Sequence, residues 1–137
     1  AELQAMKIVM MRTAQELQSE GQNQKAADMS KKYLESFPHF NFPYDESIIP
    51  FIEIVANHGD KQMAKKYLGI LAEETRQKLA FYDSLADEDF QSFRNEYAYA
   101  IRGVGEILET SKLIGDQELS NKLQTELGTY NVSKMRN

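Results

Sequence analysis

Cysteine is absent from the chain, which removes disulfides and zinc–thiolate centres from the ways it can be held together. That absence fits the cytoplasm and the space beyond a bacterial inner membrane equally well. Only two histidines occur, His39 and His58, which leaves little material for a metal or nucleophilic centre. Neither a Glu-x-x-His pair nor a His-Glu-x-x-His helix is present, and Asp87-Glu88-Asp89 lacks the glycine and alternation of a calcium loop. Glycine-rich dinucleotide or phosphate-cradling loops are also missing. The patterns therefore assign no catalytic residue, no metal site and no cofactor. Excess positive charge is lacking too: 16 basic against 21 acidic residues give a net charge of −5, which argues against a nucleic-acid partner. Each Lys-Lys-Tyr-Leu stretch, at Lys31 and at Lys65, reads as the solvated face of a helix.

Long hydrophobic runs are wanting. The most apolar window, Ile48 to Ala56, is interrupted by Pro50 and Glu53 and is far short of the ~18–20 residues a membrane span needs. The start, Ala1-Glu2-Leu3-Gln4, has neither an initiator methionine nor the basic region of a secretory signal. The expectation is a processed product, or a piece of something longer.

What is present is helical periodicity. A chain of 137 residues suits one domain that buries roughly 65–70% of its unfolded surface. Apolar residues at spacings of three and four predict a first helix on Met6, Val9/Met10, Ala14 and Leu17, stopped at Gly21. A second runs from about Gln24 to Ser36 and ends before Pro38. A third, capped near Asp45 or Ser47, tolerates Pro50 in its first turn and ends near Asn57. Gly59-Asp60 then stops one helix and caps a long fourth, from 61 to about 84, on Ala64, Leu68, Leu71, Thr75, Leu79 and Tyr82. Ser84-Leu85-Ala86-Asp87 offers a capping box for a fifth helix on Phe90, Phe93, Tyr97, Ile101, Val104 and Leu108. Gly103 and Gly105 within it suggest a kink or a close helix crossing. Gly115-Asp116 repeats the stop and cap before a sixth helix on Leu119, Leu123 and Leu127, and 129–137 form a polar tail.

The expected fold is all-α, with about six helices in three antiparallel hairpins, 2–36, 46–84 and 88–128, forming a single domain. Small residues follow each turn glycine at the same distance: Ala26 after Gly21, Ala64 after Gly59, Ser120 after Gly115. Both positions must be small where two helices meet tightly at a turn. The first unit extends this to Ala14-x-x-Leu17-x-x-x-Gly21-x-x-x-x-Ala26 and Pro38, which resembles the tetratricopeptide repeat and implies a right-handed stack of hairpins. The second unit has Arg76 where the terminal proline would fall, and the glycines are 38 and 56 residues apart instead of the usual period of about 34. An ordinary antiparallel bundle with glycine turns is the alternative.

Between the first two hairpins lies Phe37-Pro38-His39-Phe40-Asn41-Phe42-Pro43-Tyr44, with four aromatics in eight residues. Either these rings fold back as a plug between hairpins, or Phe40, Phe42, Tyr44 and His39 form an aromatic groove for a protein or peptide. This segment through Asp45-Glu46, with Ala14-Gln15-Glu16-Leu17 and His58-Gly59-Asp60, resembles the soluble C-terminal region of a family of bacterial multi-pass membrane proteins. These are related to sugar transferases that use lipid-linked donors. The resemblance implies an accessory domain, joined through upstream membrane segments and facing the periplasm; a free-standing chain would be cytoplasmic. The expected function is a non-catalytic binding or scaffolding module for a protein, a peptide or its own upstream membrane domain. Two alternatives are a small helical enzyme using Asp45, Glu46 and His39 as acid/base groups, and a structural spacer.

Overall fold

The computed structural model describes residues 2–36 and 45–130, the side chains of 2–4 excepted. These residues are all-α. The helices are α1 (Glu2–Ser19), α2 (Asn23–Ser36), α3 (Ile49–His58), α4 (Lys61–Ser84), α5 (Asp87–Phe90), α6 (Arg94–Ile114) and α7 (Gln117–Leu127). Short 3-10 turns, Glu46–Ile48 and Gln91–Phe93, lead into α3 and α6.

The turns follow the chemistry of their residues, though for two different reasons. Gly21 and Gly115 both adopt φ of +81°, a left-handed conformation in which a Cβ is strained. Gly59 does not; its φ is −145°. There the demand is for space, because a Cβ would stand 3.1 Å from both Ala27 Cβ and Lys31 Cε of α2. The α3–α4 turn thus rests against the preceding helix. Asp60 and Asp116 accept hydrogen bonds from Met63 N (3.1 Å) and Leu119 N (3.0 Å), capping α4 and α7. Lys65 of α4 also forms an ion pair with Asp116.

The capping box expected at Ser84 does not form. The Ser84 hydroxyl donates back to the Phe81 carbonyl at 2.6 Å, and α5 begins after Ala86 with no side-chain cap. The long fifth helix is also interrupted. Phe90 turns inward against Tyr97, ring centroids 5.1 Å apart. The 3-10 geometry that follows brings side chains three apart into line, so two bulky rings compete for one direction. Phe93 is left at the surface beside Tyr82 and Phe81 instead of in the core. Helix α6 runs through both Gly103 and Gly105.

Packing is centred on α3, which lies against α1, α2, α4 and α6 and buries Ile49, Phe51, Ile52, Ile54, Val55 and Ala56. The Phe51 ring stacks on Tyr33 of α2 at 4.2 Å. Ala14, Ala26 and Ala64 are fully buried where helices meet near the turns. Ser120, the third small residue, is half-buried with its hydroxyl 3.1 Å from that of Ser111. The expected face of α1 is only partly inward: Ala14 is buried and Met10 and Leu17 half-buried, but Met6 and Val9 are exposed, as is Ile8.

Side-chain bonds fix how the helices lie. Lys7 Nζ donates to Ser47 Oγ at 2.7 Å, and Gln18 Nε2 is 2.9 Å from His58 Nε2; both pairs are 40 residues apart in sequence. One constant offset at both ends of α1 means that α1 and α3 run parallel without slippage. Similarly, Thr110 Oγ1 donates to Glu53 Oε1 at 3.3 Å, an offset of 57. Gly103 faces Glu46 at the same offset, its ideal Cβ position 3.7 Å from Glu46 Cβ. Helices α1, α3 and α6 are therefore three parallel neighbours with α3 in the middle.

Candidate functional site

The 3-10 turn Glu46–Ile48 is the junction of the described surface, because its residues border three separate hollows. It is built by Asp45, whose Oδ1 accepts from Ser47 N at 2.9 Å and also from the Ser47 hydroxyl. Burial pushes the Asp45 carboxyl upward, but the Ser47 hydrogen bonds and the charges of Lys7 and Lys78 outweigh it and hold the group below its ordinary value. Asp45 is an ionised cap. Its charge also helps push the nearby Tyr33 hydroxyl, already raised by burial, up to about 12.

On one side of the turn, α3 and α6 enclose an open groove of about 730 Å³. Ile49, Pro50 and Gly105 line it, while Glu46 and Glu53 stand on the α3 side and Arg102, Glu106 and Glu109 on the α6 side. Glu109 is 3.7 Å from Lys112, an exposed pair of the kind worth little. Among the described residues no ion pair joins Glu46, Glu53 or Glu106. The groove is thus apolar in its floor and acidic in its rim. Gly105, in its wall, has nothing within 4 Å of its Cβ position.

On the other side, α1 and Ser47 border a smaller cleft of about 250 Å³, lined by Lys7, Ile8, Met11, Arg12 and Gln15. Its charges are positive. Both hollows lie along the α1–α3–α6 arrangement and share Ser47. The third, about 190 Å³, lies between Asp45-Glu46 and Thr75, Lys78, Glu96 and Tyr99 of α4 and α6. The exposed ring of Tyr99 also faces the Arg102 guanidinium, 5.7 Å from its centroid.

Of the residues singled out from sequence, His39, Phe40, Phe42, Tyr44 and Pro38 lie outside the described residues. Asp45 and Glu46 are brought together at the 190 Å³ hollow. Gly21, Ala26, Gly59, Ala64 and Gly115 sit at helix turns or meeting points. His58 sits in the last turn of α3, its imidazole bridging to α1 through Gln18. Glu53, Arg102, Glu106 and Glu109 were not singled out. For Arg102, Glu106 and Glu109 the only signal is that charges three and four apart occupy α6 positions outside its apolar stripe, a pattern shared by any solvated helix face. Among the described residues no three His, Asp or Glu side chains gather as a metal site, and no helix is long and apolar enough to cross a membrane. No family model, curated protein or solved structure matches the chain.

Proposed function

We propose that the chain is a non-catalytic helical-repeat module that binds a protein or peptide segment along α1, α3 and α6. One observation carries this reading: three parallel helices border two adjoining hollows, each lined by both apolar and charged side chains. Elongated grooves between helices offer a polypeptide apolar anchorage, with charges at the edge to set orientation. The capping role of Asp45 favours binding over proton transfer, since its carboxylate is held by Ser47 and by two lysine charges.

A tetratricopeptide-like stack of three hairpins is supported by an agreement between sequence and space. The turn glycines recur 38 and 56 residues apart, and the facing positions of the parallel helices differ by 40 and 57. The same structural unit, repeated with little slippage, accounts for both sets of numbers. The resemblance of the aromatic segment to the bacterial membrane family supports an accessory role in a membrane-associated glycosyltransferase-like protein. In that setting the domain faces the periplasm, and its partner is a separate polypeptide or the protein's own membrane portion.

Selection from a random displayed-peptide library, with counter-selection on Gly105→Trp, tests the binding reading. Peptides retained by the native chain and lost on the variant support it. An empty selection, or retention equal on both, overturns it.

A further inference from the structure

We infer that the α3–α6 groove takes a cationic polypeptide segment, one that sets an apolar side chain on the floor and directs lysine or arginine side chains to the rim. The inference rests on the binding reading above and specifies its ligand. Its basis is charge complementarity around an apolar hollow, together with a bare stretch of helix wall.

Ile49 and Pro50 make the floor apolar, and Ser47 is the one uncharged hydrogen-bonding side chain of the lining, so the segment's central contact is apolar. The rim presents four carboxylates, Glu46 and Glu53 on one wall and Glu106 and Glu109 on the other, against the Arg102 guanidinium and the exposed Lys112 beside Glu109. Carboxylates on both walls repel one another across the opening, and a cation between them relieves that repulsion. An acidic segment would meet the opposite situation everywhere except beside Arg102 and Lys112.

Gly105 adds a geometric point. A glycine inside a helix is disfavoured relative to alanine, and even at Gly103 a Cβ would meet Glu46 only in ordinary van der Waals contact, at 3.7 Å. At Gly105 no neighbour lies within 4 Å of the Cβ position, so internal packing does not require it. The missing side chain leaves the α6 backbone open to whatever enters the groove. This opening also makes position 105 suitable for obstruction: a large side chain there projects into the hollow and not into the core.

Fluorescence anisotropy with three labelled dodecapeptides tests the inference: leucine alternating with lysine, with glutamine or with glutamate. The native chain binds the lysine peptide at least about tenfold tighter than the other two, and increasing salt weakens it. Gly105→Trp removes the binding, and Glu106→Lys with Glu109→Lys weakens it about tenfold, both with unchanged helical circular dichroism. Equal or tighter binding of the glutamine or glutamate peptide, if lost in Gly105→Trp, overturns the charge rule while leaving the groove as a peptide site. Lysine-peptide binding that survives Gly105→Trp is diffuse surface attraction, and overturns the inference. Failure of all three peptides overturns the inference, and the library selection decides separately whether the binding reading stands. Sedimentation of the chain alone covers the remaining occupant: self-association abolished by Gly105→Trp assigns the groove to a second copy and overturns a foreign cationic segment.

Discussion

Helix α1 carries apolar residues at spacings of three and four while α3 is apolar almost throughout, and the two have opposite fates. α3 is ten residues long and buries six of them; α1 has eighteen, and among its described side chains only Ala14 is buried. Periodicity specifies which face of a helix can be buried, whereas the number of neighbours decides how much of it is. α3 is packed against helices on several sides and α1 mainly against α2 and the edge of α3. Ile8 and Val9, respectively 53% and 61% exposed, are apolar residues on a helix that has too few neighbours to cover them.

The largest test of this contrast is Phe51→Ala. Phe51 is fully buried and stacked on Tyr33, so its loss should cost about 3–5 kcal/mol in urea unfolding. Val9→Ala should stay within about 0.5 kcal/mol of the native chain; similar losses for both would break the comparison. Next in size is Gly59→Ala. Its Cβ would meet Ala27 and Lys31 at 3.1 Å, and the expected loss is about 1–3 kcal/mol. Gly105→Ala, with open space around it, should instead stabilise the fold by about 0.5–1 kcal/mol.

The cap of the α3 entry turn comes third. Asp45→Ala should cost about 0.5–2 kcal/mol. The carboxyl is held below its ordinary value in the folded chain, so the stabilisation is present above the unfolded pKa of about 3.9 and is lost as pH falls through the lower folded value. A native chain that loses stability between about pH 4 and more acidic conditions, and an Asp45→Ala chain whose loss is smaller, would agree with that sign. Equal pH dependence in both would not. Smallest of all is Ile8→Ser, where thermal unfolding should shift little because the side chain already faces water.

Much of the fold could be read from local chemistry. Glycine followed by aspartate marked the stops and caps at 59–60 and 115–116, and both aspartates cap the helices that follow. Pro50 placed the start of α3 within a turn. What failed depended on competition that a linear pattern does not contain. Ser84 ends α4 with its hydroxyl donated to the Phe81 carbonyl, and Ala86, two residues on, takes the N-cap position of α5. Phe93 followed the helical stripe but was displaced outward once Phe90 occupied the space beside Tyr97. The groove was less legible still. Glu53 and Glu106 are surface glutamates in sequence, and they become opposite walls of one hollow only when α3 and α6 lie parallel.

That parallel arrangement has a mechanical consequence. Lys7–Ser47 and Gln18–His58 are two ties between α1 and α3, spaced eleven residues along the helix, or about 16 Å. Sliding one helix along the other would stretch both ties together, while rotation about an axis parallel to them changes each much less. The soft deformation of the three-helix face is therefore hinge-like opening and closing across its width, with shear along its length resisted. Between α3 and α6 the corresponding tie is the single Thr110–Glu53 bond, so the register of the groove walls is held by a side-chain bond at one point.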